Sequence, residues 1–480
     1  MSFSDLQLPR SLAPAMASLL VCVAGLGCVV HPVDPEPQPA VAEKESGGGN
    51  AERFAHAPDR KPGESNRDPW WETFRDRNLD KLIEDALVGS PDLRAVGERI
   101  EQANARLVQA GSTLFPQVDG AGEFQRRWDV DGRRSDDSSI GLIYDWEIDA
   151  WGRIRSGQAA RRREAEAAVD DWLAARLLLS SAVSEAWFEL REQRGQLDLA
   201  SEQIEVNQTL LDLTRLRFGQ GQSSVVDVYQ AQEQLESIQS LVPDIESRIE
   251  ELNLVLDTLM GKMPGSTKPR HADGELNSPP SWPETGVPSD LLAERPDLRA
   301  QRARIIAVDH EVGEAIAERL PRFSIGGSLA AGGTPSIERL VGDAVVSAVG
   351  PVFDAGNRKA EVERRRSRVQ EEIDIFTSLY LEAVRDVEVA LVREDRLHER
   401  IQRQEAQLTT ARKLLRESKN RYVLGATDYL PVLDAVTKVQ ELERDLLTSY
   451  RERLSARVSL HRALGGPMPI PPSTTLASQP

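Results

Sequence analysis

Two hydrophobic patterns alternate along the chain, and they predict strands and helices in the same order twice. In the segment "IGLIYDWEI", apolar residues occupy every second position, which is typical of a strand with one apolar face. The Gly-rich segment 117–128 and the turn-forming residues that follow it complete a predicted β-hairpin. Residues 322–333 and 344–356 predict a second hairpin with weaker alternation. The apolar face of the first hairpin consists of Ile140, Leu142, Tyr144, Trp146 and Ile148.

A long helix is predicted after each hairpin, at about 151–218 and 357–422. At 1.5 Å per residue each helix would be roughly 100 Å long. An apolar residue at every seventh position predicts left-handed supercoiling against partner helices. The chain then returns through helices predicted at 224–262 and 428–465. The two seven-residue stripes are Leu197, Ile204, Leu211 and Phe218, then Ile401, Leu408, Leu415 and Tyr422.

The turn between each pair of helices is a repeated motif. Residues 217–232 read "RFGQGQSSVVDVYQAQ" and residues 421–436 read "RYVLGATDYLPVLDAV", with Gly221 and Gly425 at matching positions. "SPDLRA" similarly recurs as "RPDLRA". Such periodic similarity indicates one fold built from two internal structural repeats rather than several independent domains.

The repeats define the domain organisation that we expect. Repeat 1 covers 69–262, repeat 2 covers 289–466, and a proline-rich connector, 263–288, joins them. Residues 28–68 predict a flexible linker or a segment extended over the surface, and 467–480 predict a disordered tail.

Four strands per chain are too few to close a barrel in lipid, where a free sheet edge is not tolerated. Three chains would supply twelve strands, an even number within the range of membrane barrels. The fold class that we predict is therefore α plus membrane β. A long α-helical coiled-coil tunnel continues into a β-barrel that trimerisation completes.

Composition excludes several function classes. The net charge is −18, and a protein without a basic lobe is a poor candidate for binding nucleic acid. The chain contains no nucleotide-binding, zinc-protease or serine-hydrolase motif. We therefore predict that it is not an enzyme and that it has no cofactor, no catalytic residues and no metal site.

The N-terminus resembles a secretory signal, with Arg10 before an apolar run that ends in small residues. The segment "AGLGC" resembles a lipoprotein cleavage box. We expect 1–27 to be the signal peptide and Cys28 to carry lipid, palmitate included. Ordinary signal cleavage nearby is the alternative.

Taken together, these motifs resemble the outer-membrane efflux protein family, in particular the lipoprotein branch of TolC/OprM-like outer-membrane factors. The resemblance covers about 69–466 and depends on "WWETFRDRNLDKLIEDAL", "PDLRA", "YDWEIDAWGRIR", "FDAGNRKAEV" and the repeated turn motif. It implies a homotrimer in the cell outer membrane that is lipid-anchored and extends into the periplasm. It also implies a tripartite efflux pump, in which the duct meets a periplasmic adaptor (membrane fusion protein) and an inner-membrane transporter of resistance-nodulation-division type.

The same resemblance assigns roles near the two turns. Gly221 and Gly425 would contact the adaptor, and Asp227, Asp434 and Tyr422 would form a periplasmic gate. Six carboxylates from three chains would gather around a narrow axis, where like charges repel and attract cations. Tyr422 is expected to hydrogen-bond Asp227. The alternative is that both aspartates are solvated residues beside a turn.

Three functions remain open at this point. The first is an exit duct for drugs or other small molecules. The second is a duct for a protein-secretion or metal-efflux system. The third belongs to another class, a periplasmic coiled-coil tether that transports nothing, against which the alternating strand with its Trp and Tyr argues.

Overall fold

The first repeat forms a pair of helices, a β-hairpin and a second, much longer pair of helices. A computed structural model describes residues 31–40, 53–57, 69–129, 131–132, 134–267, 270, 276, 279, 282–333 and 339–467. The elements are a 3-10 helix Trp70–Phe74, α1 Arg77–Gly89, α2 Pro91–Ser112, β1 Gln117–Trp128, β2 Arg134–Ile148, α3 Arg153–Gly219 and α4 Val225–Leu259.

The second repeat has the same order of hairpin and long helices. Its elements are a 3-10 helix Pro288–Asp290, α5 Leu291–Glu294, α6 Pro296–Ala317, β3 Arg322–Gly333, β4 Arg339–Val349, α7 Asn357–Val423 and α8 Leu430–Ala463. Among the described residues, no helix is long and apolar enough to span a bilayer.

The "PDLRA" motif opens α2 and α6 at equivalent places because proline is well suited to the first helical position. Pro91 and Pro296 each stand there. Both helices end shortly before a proline, Pro116 or Pro321, after which a strand begins. Each copy of the motif is therefore followed by the same sequence of elements, a helix, a proline and then a strand of the sheet.

The long helices α3 and α7 each contain 67 residues, which corresponds to roughly 100 Å. α3 packs against α4, α6 and α8, while α7 packs against α6 and α8. The predicted stripes are not equivalent at their lower ends. Tyr422 is 2 % exposed, but Phe218 is 47 % exposed, because only the second repeat's aromatic ring is enclosed by the other helices.

The four strands form one antiparallel sheet in the order β1-β2-β3-β4. Strand β2 begins at Arg134, inside the predicted turn, and Asp136 is held there by Arg126 across the hairpin and by Arg134 on its own strand. Strand β4 ends at Val349, earlier than predicted, because Gly350 and Pro351 follow and proline cannot donate a ladder hydrogen bond.

Two stretches of the expected linker are packed against the second repeat. In residues 31–40, His31 Nε2 lies 2.6 Å from Asp309 Oδ1 on α6. In residues 53–57, Phe54 is buried in the apolar core between α6, α7 and α8. The described polar contacts of these two stretches with helices lie along α6 and α7 of repeat 2.

The chain ends of the two repeats meet in the middle of the molecule. The backbone N–H of Trp70 donates to Pro467 O at 3.3 Å, and the Trp70 ring stacks on His461 with 5.4 Å between ring centroids. Leu79 and Ile83 of α1 belong to the same buried core. The halfway region of the long helices is thus packed against the start of repeat 1 and the end of repeat 2.

Candidate channel gate, docking turns and membrane face

The turn at the end of each long helix closes with the same backbone hydrogen bonds. After α3, Gln222 N donates to Arg217 O at 2.9 Å and Gly221 N donates to Phe218 O at 2.9 Å. After α7, Ala426 N and Gly425 N make the corresponding bonds, at 2.9 and 3.0 Å. This is the Schellman arrangement, which needs a left-handed residue after the helix.

Glycine is required at both turns by conformation and not by crowding within the chain. The φ angles of Gly221 and Gly425 are 72° and 73°, in the region that L-residues with a Cβ avoid. A Cβ on Gly221 would meet no atom within 4 Å, and one on Gly425 would meet only the tip of Arg217 at 3.9 Å. Both turns therefore present open backbone to the surroundings.

Asp227 holds the first turn of α4 in a capping box. Its side chain accepts from Ser224 N at 3.0 Å and from Ser223 Oγ at 2.6 Å, while Asp227 N donates to Ser224 Oγ at 3.2 Å. A carboxylate at this position also complements the positive end of the helix dipole. Asp434, by contrast, is exposed near the start of α8.

The structure corrects the expected bond between Tyr422 and Asp227. Within the described residues the two are linked only through Ser223, whose Oγ lies 3.5 Å from Tyr422 Oη and donates to Asp227. Tyr422 Oη also lies 3.5 Å from Thr214 Oγ1 on α3. Contacts at this length are weak hydrogen bonds, so the tyrosine is held mainly by packing.

Sequence reasoning missed two residues of this cluster, Arg217 and Tyr429. The Arg217 guanidinium lies 4.5 Å from the centroid of the Tyr422 ring. The Tyr429 ring packs edge-on against Tyr422 at 5.6 Å. Burial, with smaller contributions from Tyr422 and Asp227, raises the pKa of Tyr429 to about 12. The recurrence of arginine at positions 217 and 421 of the repeated motif is the sequence feature that could have identified Arg217, but it does not reveal which of the two arginines is buried.

The five predicted strand residues share one face of the sheet. In the antiparallel register Leu142 lies opposite Leu329, and Tyr144 lies opposite Gly327. The absent side chain of Gly327 leaves room for the Tyr144 ring, whose Cε1 lies 2.8 Å from the position of a Cβ there. The other face is mostly polar. Apolar residues on the first face are Val118, Phe124, Trp128, Ile140, Leu142, Tyr144, Trp146, Ile148, Phe323, Ile325, Leu329, Leu340 and Val346.

Comparison with known proteins decides the family. A model of the family "Outer membrane efflux protein" matches residues 82–262 and 287–466. The chain belongs to this family. The two matched segments coincide with the two repeats.

The chain is similar to proteins with different cargoes. It is 29% identical over 418 residues to the pyoverdine export outer membrane protein OpmQ of Pseudomonas putida, covering 83% of this chain and 87% of the relative. It is 25% identical over 404 residues to the cation efflux system protein CusC of Escherichia coli K12, covering 83% and 88%. The solved outer-membrane channel OprN matches with a TM-score of 0.82 at 24% identity, over 92% of this chain and 99% of that one.

These findings confirm the predicted fold class and the coarse function. As a member of the outer membrane efflux family, the chain is an outer-membrane efflux channel and not an enzyme. Its structural neighbours share the helical tunnel with a strand domain. Cys28 lies outside the described residues, so its lipidation stays a prediction.

Proposed function

We propose that this chain is the exit duct of a tripartite efflux pump and that it passes small molecules from an inner-membrane transporter and a periplasmic adaptor to the exterior. The observation that carries the proposal is the distance between two surfaces of the chain. The apolar sheet face lies at one end of α3 and α7, and the open glycine turns lie at the other end, roughly 100 Å away.

A homotrimer is part of the proposal because one chain supplies a four-stranded sheet with two open edges. Three chains would close twelve strands, and the face that contains Leu142 and Tyr144 would meet lipid. Aromatic rings such as Trp151, at the end of the sheet nearest the helices, suit the interface between lipid and water. The lipid expected on Cys28 would add a second anchor.

The assembly is tested by isolating the outer membrane from cells that express the full chain. We expect a trimer band that is stable in detergent and dissociates on heating, and an acylated Cys28 in intact-mass analysis. A monomer in the soluble periplasmic fraction would favour the tether instead.

Adaptor docking is tested at the turns. Bulky substitution of Gly221 or Gly425 should abolish efflux while trimers remain in the membrane, because the open backbone there is where the adaptor would approach. Loss of the trimer in these variants would instead assign the glycines to folding alone.

The cargo has two candidates, since OpmQ is named for pyoverdine export and CusC for cation efflux. We favour organic small molecules, because OpmQ is the more similar of the two. A deletion strain tested against drugs, siderophore secretion and metal salts should show its largest defect with the organic compounds. A defect confined to metal salts would assign the duct to a cation system.

For the gate, we propose that Asp227, Asp434 and Tyr422 narrow the periplasmic end. Carboxylates around a narrow axis attract cations, so replacing both aspartates by alanine should weaken block by multivalent cations in planar bilayers. Tyr422→Ala should raise conductance more than Tyr422→Phe, because the contacts of the hydroxyl are long. Unchanged block and unchanged conductance would remove the gate assignment.

A further inference from the structure

The two arginines of the repeated turn motif have opposite environments. Arg217 ends α3 and is only 8 % exposed, whereas Arg421, at the same place in α7, is exposed. A charged side chain loses solvation when it is buried, and it stays buried only where other contacts compensate. The contacts of Arg217 therefore distinguish one repeat from the other.

Those contacts all reach across to the second repeat. The Arg217 guanidinium lies 4.5 Å from the centroid of the Tyr422 ring, within the range of a cation–π interaction. Its Nη1 donates to Val423 O at 3.1 Å. Val423 is the last residue of α7, and a helix end leaves carbonyls free and carries partial negative charge.

Arg217 and Tyr429 both contact the Tyr422 ring. The tyrosine ring packs against the guanidinium and, edge-on, against Tyr429, at 5.6 Å. Among the residues that the structure describes, the side chain of Arg217 contacts the Tyr422 ring and the Val423 carbonyl and forms no ion pair with a carboxylate. The arginine therefore interacts with the Tyr422 ring and with the C-terminal end of α7, and not with a carboxylate.

We propose that Arg217 is a positioning residue that fastens the end of α7 to α3 and so keeps the periplasmic end of the duct closed. The inference rests on the proposed gate. The fastening differs from the carboxylate ring, because it joins the two repeats within one chain. Opening requires the end of α7 to separate from α3, which breaks the ring contact and the bond to Val423 together.

The duplication supplies a matched control. Arg217→Met and Arg421→Met remove the same charge from the same register position, but only the first removes contacts across the repeats. In planar bilayers we expect Arg217→Met to raise the open probability of the trimer by roughly fivefold or more, since each protomer loses a contact of about 1 kcal/mol. Arg421→Met should behave as the unmodified protein. An equal rise in both variants would assign the effect to lost charge and overturn the proposal.

A conservative variant separates positioning from charge and from folding. Arg217→Lys keeps the cation but lacks the planar group that stacks on the ring, so we expect it to open more often than the unmodified trimer at unchanged trimer melting temperature. It also serves where Arg217→Met fails to assemble. An open probability of Arg217→Lys equal to that of the unmodified protein would overturn the role of stacking.

Comparison with Tyr422→Ala distinguishes failure of this inference from failure of the gate. If Tyr422→Ala opens the channel and the Arg217 variants do not, the gate stands without Arg217. If neither opens it, the gate assignment and this inference both fall.

Discussion

The two repeats have the same order of secondary-structure elements, but they bury different types of side chain at matching positions. Their long helices are equal in length and their turns have nearly the same φ angle. Several buried side chains nevertheless differ in kind at matching positions. At a shift of 204, Leu190 corresponds to Glu394, Asn253 to Arg457, and Asp257 to His461.

In the second repeat, two of these differing residues form a buried ion pair. Glu394 and Arg457 are almost fully buried, and the guanidinium donates to both carboxylate oxygens at 2.8 and 2.5 Å. The Trp282 ring lies 5.0 Å from the same guanidinium. In the first repeat Leu190 occupies the matching place in an apolar core.

The connector explains much of the difference. It places Trp282 beside Arg457 in one repeat and Arg270 beside Asp257 in the other, where Arg270 Nη2 donates to Asp257 Oδ1 at 2.6 Å. Turns and apolar stripes therefore determine the backbone of a repeat. The segments packed against that backbone determine which polar groups it can bury.

The largest effect is expected at the buried ion pair. Glu394→Leu copies the residue of the first repeat but leaves Arg457 buried without its carboxylate, which costs about 3–5 kcal/mol. We expect a large fall in the melting temperature of the trimer by calorimetry. Glu394→Leu combined with Arg457→Asn should recover part of the loss, as it completes the arrangement of the first repeat. A double variant no more stable than the single one would contradict the comparison.

The second-largest effect is expected on the apolar face of the sheet, to which both repeats contribute similar residues. Leu142 and Leu329 are cross-strand partners on the apolar face, so arginine at either should cost about 2–4 kcal/mol if that face meets lipid near the midplane. Ile143→Arg, on the opposite face, should cost much less. We would measure the yield of folded trimer in the outer membrane. Equal yields from all three variants would contradict a lipid-facing assignment.

A smaller effect is expected at the turns. Gly221→Ala and Gly425→Ala should each destabilise the chain by about 1–2 kcal/mol, because the left-handed conformation is costly for any residue with a Cβ. The two values should agree, since neither site is crowded. Denaturant titration of the two variants is the measurement, and a difference larger than the expected effect would show that the turns are not equivalent.

The smallest effect is a dependence on pH. Burial, and then Arg457, lower the pKa of His461 to about 3. In the unfolded chain the imidazole of His461 is protonated below about pH 6.5, whereas in the folded chain it stays neutral down to about pH 3. The free energy of unfolding is therefore highest above pH 6.5 and decreases as the pH falls toward 3. His461→Phe should remove about 1 kcal/mol of this loss at pH 6.

The matched control is Asp257, whose titration lies in another window. Burial opposes its charge, but hydrogen bonds from Thr267, Arg270 and Gly265 N outweigh burial and lower its pKa below 3.8. Its contribution is therefore present above pH 3.8 and lost below it. Asp257→Asn should leave the slope of stability between about pH 5 and 6.5 unchanged, whereas His461→Phe should flatten it. The reverse result would contradict the assignment of buried groups to the two repeats.

Much of this fold could be predicted from local pattern, because helix ends and turns depend on neighbouring residues. Gly221 and Gly425 marked both turns, and the alternation around Leu142 identified the apolar face. Other features depend on packing between distant segments. No local pattern indicates that Tyr422 is buried while Phe218 is exposed, that Arg217 reaches the end of α7, or that residues 31–40 lie along α6.

The open edges of the four-stranded sheet have a consequence for how the channel is made. In the part of one chain that the structure describes, β1 pairs with β2 alone and β4 with β3 alone. In hydrocarbon, each unpaired backbone group on an outer edge would cost several kcal/mol. We therefore expect entry into the bilayer to coincide with the meeting of partner chains. The rate of insertion should then depend steeply on chain concentration.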